Sequence, residues 1–261
     1  MPADLADHSR EPRSPQRPVL AASEVVHRYG SQQVLNGVSL AVGAGEVVVL
    51  LGENGAGKTT LMRVLAGELV ADGGAIHVGG HDLRQAPEAA RAQLIYVAQH
   101  PPLAPLASLR EHAAAMAGLR GLSADWQGRL QELAVTFRLD HALDRPVRAL
   151  SGGMAHKAAL SLAFLSQVPL LMLDEPHTGL DVRSALALRQ LIVQAKASGT
   201  GLLLASHLAE ATLAVADRAL VLAGGKVARQ FEPAELRALG GDPRAFEQQV
   251  LEAMQTAVAA T

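Results

Sequence analysis

The chain has 261 residues, 49% hydrophobic and 18% charged, and its 23 Lys+Arg against 25 Asp+Glu leave a formal net charge of -2. That composition excludes a disordered chain and gives no support to a basic nucleic-acid binder, while the absence of cysteine removes disulfides, thiol catalysis and cysteine metal sites. Mean hydropathy is positive, at +0.17, but the longest uncharged apolar run, Ala158 to Leu173, includes Gln167 and Pro169 and falls short of the ~20 residues of a spanning helix.

Residues 1–19 carry Pro2, Pro12, Pro15 and Pro18 among charged and Ser residues, which predicts a disordered leader. Two β-like stretches follow, Leu20–His27 and Val34–Val42, with Tyr29-Gly30 as the turn between them. Glu46–Leu51 is a nearly continuous apolar run ending at Gly52, the pattern of a strand buried on both faces. A helix is predicted from Lys58 to Leu69, and Gly73-Gly74 opens a short strand at Ala75–Val78.

Between His100 and Leu165 the texture changes. Pro101, Pro102 and Pro105 break the chain, and helical patterns follow at Ser108–Leu119, Ala124–Phe137 and Met154–Leu165. The β texture returns at Leu170–Leu173, Gly201–Ala205 and Ala219–Leu222, with a helix predicted over Arg183–Ala197. Strands alternating with helices predict a parallel sheet, so the helical block reads as an insertion in an α/β core. The last segment, Arg244–Ala260, carries Phe246, Val250, Leu251, Met254 and Val258 at helical spacing. It is expected to pack on the core or on a partner rather than perform chemistry.

Gly52-Glu53-Asn54-Gly55-Ala56-Gly57-Lys58-Thr59 matches G-x-x-x-x-G-K-[ST] between an apolar strand and a helix. Its glycines let the backbone wrap a phosphate with N–H groups turned inward, and the helix N-terminus adds about half a unit of positive charge. Lys58 supplies a full charge for the β- and γ-phosphates, and the Thr59 hydroxyl is the expected Mg²⁺ ligand. Leu170 to Glu175 is an apolar strand ending in two carboxylates. Strand alternation turns neighbouring side chains to opposite sides, so the pair can divide its tasks. Asp174 is expected to hold Mg²⁺ and Glu175 to polarise the attacking water. Ser151 is a good N-cap for the helix that follows, where Gly152 and Gly153 leave backbone N–H groups open to an anion. Alone, Ser-Gly-Gly is a loop cap of low specificity.

Taken together, the phosphate loop, Leu150-Ser151-Gly152-Gly153 and the strand ending Asp174-Glu175-Pro176 resemble the ATP-binding cassette (ABC) ATPase family, over roughly residues 20–230. The resemblance implies an α/β fold: a P-loop NTPase core, mostly parallel sheet with an antiparallel β portion, plus an inserted α-helical subdomain. The core takes residues 20–98 and 166–230, the helical subdomain 99–165, and a C-terminal helical extension 231–261. ATP is then held by Gly52, Asn54, Gly55, Ala56, Gly57, Lys58, Thr59 and Thr60, with Tyr29 stacked on adenine. Mg²⁺ falls to Thr59, Asp174 and Gln99, and Gln99 also meets the attacking water. His207, after Ser206, matches the switch histidine on the γ-phosphate. In the family two cassettes close head to tail, so Ser151, Gly152 and Gly153 reach the other subunit's γ-phosphate, and Asp181 of Thr178-Gly179-Leu180-Asp181 touches that subunit.

Three departures stand out. Met154 replaces the usual Gln, Ala155-His156-Lys157 replaces a basic run, and His177 stands where Thr or Ser is usual. His177 reads either as a charged neighbour that makes Glu175 pH-sensitive or as an exposed, idle residue. The resemblance implies an ATP-hydrolysing transporter subunit, peripheral on the cytoplasmic face through a separately encoded transmembrane permease. The helical insertion led by Gln99 is the expected docking surface. Ala98 to Leu103, Leu150 to Met154 and the Thr178–Asp181 loop are similar to cassettes of efflux-type systems. The alternative is a soluble ABC ATPase acting on nucleic acid or ribosomes, but a single cassette without basic extensions favours transport, and no nucleic-acid partner is expected. A phosphate-loop kinase or GTPase leaves Ser151–Gly153 and His207 without roles.

Overall fold

The computed structural model describes residues 17–208, 213–239 and 242–259, so all but the end of the expected leader lies outside the described residues. Strands β1 (Leu20–Tyr29) and β2 (Gln32–Val42) pair antiparallel. β1 also pairs with β4 (Gly73–Val78), which carries the short β5 (His81–Asp82), giving the order β2-β1-β4-β5. The second sheet holds β3 (Val47–Leu51), β6 (Leu94–Val97), β7 (Leu170–Asp174), β8 (Gly201–Ser206), β9 (Arg218–Ala223) and β10 (Lys226–Phe231). Its order is β10-β9-β3-β8-β7-β6, parallel throughout except for the β10–β9 pair. The mostly parallel α/β core with an antiparallel portion is therefore present.

The central strands are apolar at nearly every position because both faces of this sheet are covered. Their alternation sorts side chains into two cores. Val47, Val49, Leu51, Leu171, Leu173, Leu202 and Leu204 enter one cluster, and Val48, Leu50, Leu170, Met172, Leu203 and Ala205 the other. The second cluster is completed by α1 (Lys58–Leu65) and the antiparallel sheet, through Leu61, Met62, Leu20, Val25 and Val38. The first is completed by helices.

Those helices come mostly from the insertion between β6 and β7. After α2 (Pro87–Ala92), the insertion supplies α3 (Leu109–Arg120), α4 (Trp126–Thr136) and α5 (Gly152–Leu165). Ser108 and Glu111 form a capping box at the start of α3, satisfying two of the four backbone N–H groups that a helix start leaves open. α5 is buried along most of its length, from His156 to Leu165, against the sheet and α4. α6 (Val182–Ala197) follows β7, and α7 (Pro233–Leu239) and α8 (Pro243–Ala259) close the chain. α8 packs on the core. Phe246 is fully buried and meets Phe231 edge to face at 5.1 Å, and the Arg229 guanidinium lies 4.2 Å over the Phe231 ring.

Two local differences from the sequence reading have clear causes. The helix predicted to reach Leu69 stops at Leu65, because the N–H groups of Glu68 and Leu69 turn back to the Arg63 carbonyl in a C-terminal cap. β6 and β10 were not individually expected. β6 is only four residues long, and β10 alternates exposed Lys226, Ala228 and Gln230 with less exposed neighbours at the sheet edge.

Candidate functional site

Parallel register gathers the motifs at one edge of the sheet. Leu51 of β3 lies opposite Ser206 of β8, and Asp174 of β7 lies opposite Ala205. The phosphate loop, Asp174-Glu175 and Ser206-His207 therefore leave the carboxyl ends of three adjacent strands, where open α/β sheets bind ligands. Gly52 is required by packing, since a Cβ there would lie 2.6 Å from the Leu222 carbonyl. Lys58, the first residue of α1, is buried, and its Nζ donates to the carbonyls of Gly52 at 2.7 Å and Glu53 at 3.1 Å. Burial lowers its pKa, opposed by the negative charges of Glu175 and Asp174. Lysine, both acids and the loop thus form one electrostatic unit.

Asp174 is fully buried. Its Oδ2 accepts the Tyr96 hydroxyl at 3.3 Å, the Thr59 side chain also hydrogen-bonds to the carboxylate, and its Oδ1 has no partner among the described residues. Burial raises the Asp174 pKa, against those two hydrogen bonds. Burial also raises the Tyr96 pKa, and the Asp174 charge adds to that shift. An orphaned carboxylate oxygen beside a threonine hydroxyl fits Mg²⁺, which is usually bound through one or two carboxylates plus substrate phosphates. Among the described residues no group of three or more His, Asp or Glu forms an all-protein cage.

This arrangement predicts opposite effects on stability and activity. Because the Asp174 pKa is raised above its ordinary 3.8, the folded protein holds the proton more tightly than the unfolded chain, and ionisation above the raised value costs stability. Asp174→Asn keeps an acceptor for Tyr96 and Thr59 but removes the buried charge. It is expected to stabilise the fold by about 1 kcal/mol near pH 8 while abolishing Mg²⁺-dependent hydrolysis. The gain should shrink as pH falls through the raised pKa. Denaturant midpoints at pH 8 and pH 5 check this, and a less stable variant at pH 8 would contradict it.

The strand alternation expected to separate Asp174 and Glu175 does not extend to Glu175. β7 ends at Asp174, and Glu175 adopts φ 50 in the left-handed region, so a turn rather than the pleat divides the two carboxylates. Glu175 is nearly buried, and its Oε2 lies 2.8 Å from Nδ1 of the half-exposed His207. An ionised carboxylate only accepts, so Nδ1 carries the proton and the ring orients the acid.

Ser151–Gly153 and Asp181 belong to a second group. Ser151 caps α5, accepting the Met154 N–H at 3.3 Å. A Cβ on Gly153 would lie 2.9 Å from the Gly179 carbonyl, so α5 starts in contact with the Thr178–Asp181 loop. Asp181 caps α6 through the Ser184 N–H at 2.9 Å and pairs with Lys157 Nζ at 2.7 Å. Lys157 accordingly holds the Asp181 carboxyl well below the usual carboxylate range. Among the described residues no hydrogen bond joins Ser151, Gly152 or Gly153 to the phosphate loop.

The remaining candidates lie on the rim. Tyr29 ends β1, 46% exposed, with His27 edge-on to its ring at 4.9 Å. Gln99 is exposed just after β6, Asn54, Gly55 and Ala56 lie in the turn into α1, and Thr60 lies in the first turn of α1. His177 is not the exposed, idle residue of one reading. It is partly buried, with Nδ1 enclosed and unpartnered among the described residues, and burial lowers its pKa. The buried His156 beside it is lowered likewise, its Nε2 lying 3.2 Å from the Pro176 carbonyl. Sequence reasoning missed Tyr96 and the Lys157–Asp181 pair. The run Leu94–Val97, separated from Gln99 only by Ala98, is the available signal for a strand that delivers Tyr96.

Residues 35–178 match the family described as ABC transporter. The Nod factor export ATP-binding protein I of Ralstonia nicotianae is 33% identical over 220 residues, 84% of this chain and 68% of that protein. The lipopolysaccharide export system ATP-binding protein LptB of Escherichia coli K12 is 32% identical over 221 residues, 83% of this chain and 92% of that protein. A solved ATP-binding subunit of an ABC transporter superposes with a TM-score of 0.83 at 32% identity, covering 91% of this chain and 99% of the other.

Proposed function

We propose, from the premise that this chain belongs to the ABC transporter family as an ATP-binding subunit and an ATPase, that it works in a head-to-tail pair on a separately encoded transmembrane permease. In this reading Lys58 and the loop from Gly52 to Thr60 hold the phosphates and Tyr29 stacks on adenine. Thr59, Asp174 and Gln99 would hold Mg²⁺, which would neutralise phosphate charge there. Glu175, oriented by His207, polarises the attacking water. Ser151, Gly152 and Gly153 donate to the γ-phosphate of the opposite subunit, and Asp181 contacts that subunit. ATP favours the closed pair and hydrolysis releases it, a ligand-biased two-state element.

The observation that carries this reading is the convergence of Lys58, Asp174 and the Glu175–His207 pair at three adjacent strand ends. No helix among the described residues is long and apolar enough to cross a membrane, so transport requires a partner that does. Export is the direction we favour, supported by two relatives whose names refer to export systems. The place of work is then the cytoplasmic face of the membrane. The test is purification of tagged Glu175→Gln chain from detergent-solubilised membranes with ATP present. A polytopic membrane protein is the expected partner, and ribosomes or nucleic acid in its place would overturn the reading.

A further inference from the structure

At the opposite edge of the sheet, where α5 ends and β7 begins, two adjoining cavities of about 240 and 400 Å³ share Arg129 of α4 and Gln167. Trp126 and Arg120 border the smaller one. Phe164, Leu171 and Leu191 wall the larger, with Gln194 and Ser198 among its polar lining. Among the described residues no carboxylate lines either cavity.

Arg129 is the anomaly. Its Nε is buried with no hydrogen-bond partner, and its guanidinium forms no ion pair among the described residues. A buried donor without an acceptor is unfavourable, more so on a charged group. The acid one turn earlier does not relieve it. Asp125 folds over the first turn of its own helix, where a Cβ on Gly128 would lie 2.6 Å from its Oδ1. Arg120, by contrast, is already engaged, donating to the carbonyls of Ala92 at 2.9 Å and Leu94 at 3.1 Å. Gln167 has φ 51 at the position just past the α5 C-cap, where glycine is favoured. The chain keeps an amide side chain there, between the two cavities.

We propose that the two cavities form one binding site for a small organic anion. Its carboxylate or phosphate is received by Arg129 and the Gln167 amide, and its apolar body lies along Phe164, Leu171 and Leu191. A guanidinium is suited to both oxyanions because its N–H groups match their oxygens in pairs. The joint volume falls in the range of small-molecule sites, and the apolar wall selects against a bare inorganic ion. The site is separate from the phosphate loop, which leaves the other end of the same strands.

Trp126 is the chain's single tryptophan, so its emission reports on this cavity. The full chain carrying Lys58→Ala, which weakens anion binding at the phosphate loop, is titrated with n-butyl phosphate, hexanoate, inorganic phosphate and n-butanol. A saturable change with n-butyl phosphate or hexanoate is expected, with no change for n-butanol and about tenfold weaker binding of inorganic phosphate. Response to one organic probe alone identifies the headgroup. Arg129→Gln should weaken binding by about tenfold or more. Arg129→Lys, which keeps the charge and the stem but not the planar fork, should also lose about tenfold and guards against a folding defect in the glutamine variant. Absence of saturation with both organic anions, inorganic phosphate binding as tightly as they do, or unchanged affinity in the Arg129 variants would each overturn the proposal.

Discussion

Lys58→Ala is expected to remove measurable ATP turnover and to weaken ATP binding by roughly 10²–10⁴-fold. The Nζ group is buried, fixed by the carbonyls of Gly52 and Glu53, and flanked by the charges of Glu175 and Asp174. In the proposed site it would meet the phosphates already desolvated and oriented. A hydrogen bond to a charged group contributes about 1.5–3 kcal/mol, and two such bonds to the β- and γ-phosphates give the stated range. The loss in turnover should exceed the loss in binding, because charge accumulates on the transferred phosphoryl oxygens as the leaving bond breaks. Calorimetric titration with ATP and a steady-state phosphate assay separate the two. Hydrolysis at the wild-type rate would refute the site assignment outright. Thermal melting must accompany both, because the variant also removes the cation that balances Asp174 and Glu175.

The parts of this site that the sequence revealed are those where chemistry dictates local spacing. A phosphate must be wrapped by consecutive backbone N–H groups, so Gly52 to Thr59 is contiguous and recognisable. The strands before it and before Asp174 are legible because both faces are covered, leaving no polar alternation to blur them. What remained hidden depends on pairs distant along the chain or on a single backbone angle. Tyr96 reaches Asp174 across the β6–β7 pair, and an isolated strand tyrosine carries no mark of its target. Lys157 and Asp181 meet because α5 starts against the loop at Gly179, a packing fact absent from either segment alone. Glu175 was expected to follow the pleat, whereas its left-handed φ redirects the carboxylate towards His207. A non-glycine residue held in that region, here at the proposed catalytic position, is strain the surrounding fold must sustain.

That turned carboxylate is the target of the second large prediction. Glu175→Gln is expected to lower the hydrolysis rate by about 10²–10⁴-fold while ATP affinity changes little, since the amide keeps the shape and can still accept from His207 Nδ1. If the pair acts as a unit, with His207 orienting the acid at 2.8 Å, its effects will not add. His207→Ala alone should cost a substantial part of the same loss, and Glu175→Gln/His207→Ala should be no slower than Glu175→Gln by itself. Additive losses would instead show that His207 acts on the γ-phosphate independently of Glu175. With hydrolysis blocked and binding intact, the Glu175→Gln chain incubated with ATP should elute at twice the monomer mass and return to monomer when the nucleotide is removed. The wild-type chain, which discharges its ATP, should not accumulate in that form. Turnover of Glu175→Gln within about tenfold of wild type would place the water-activating group elsewhere. A variant that bound ATP but stayed monomeric would retain the catalytic assignment and remove the closed pair from the mechanism.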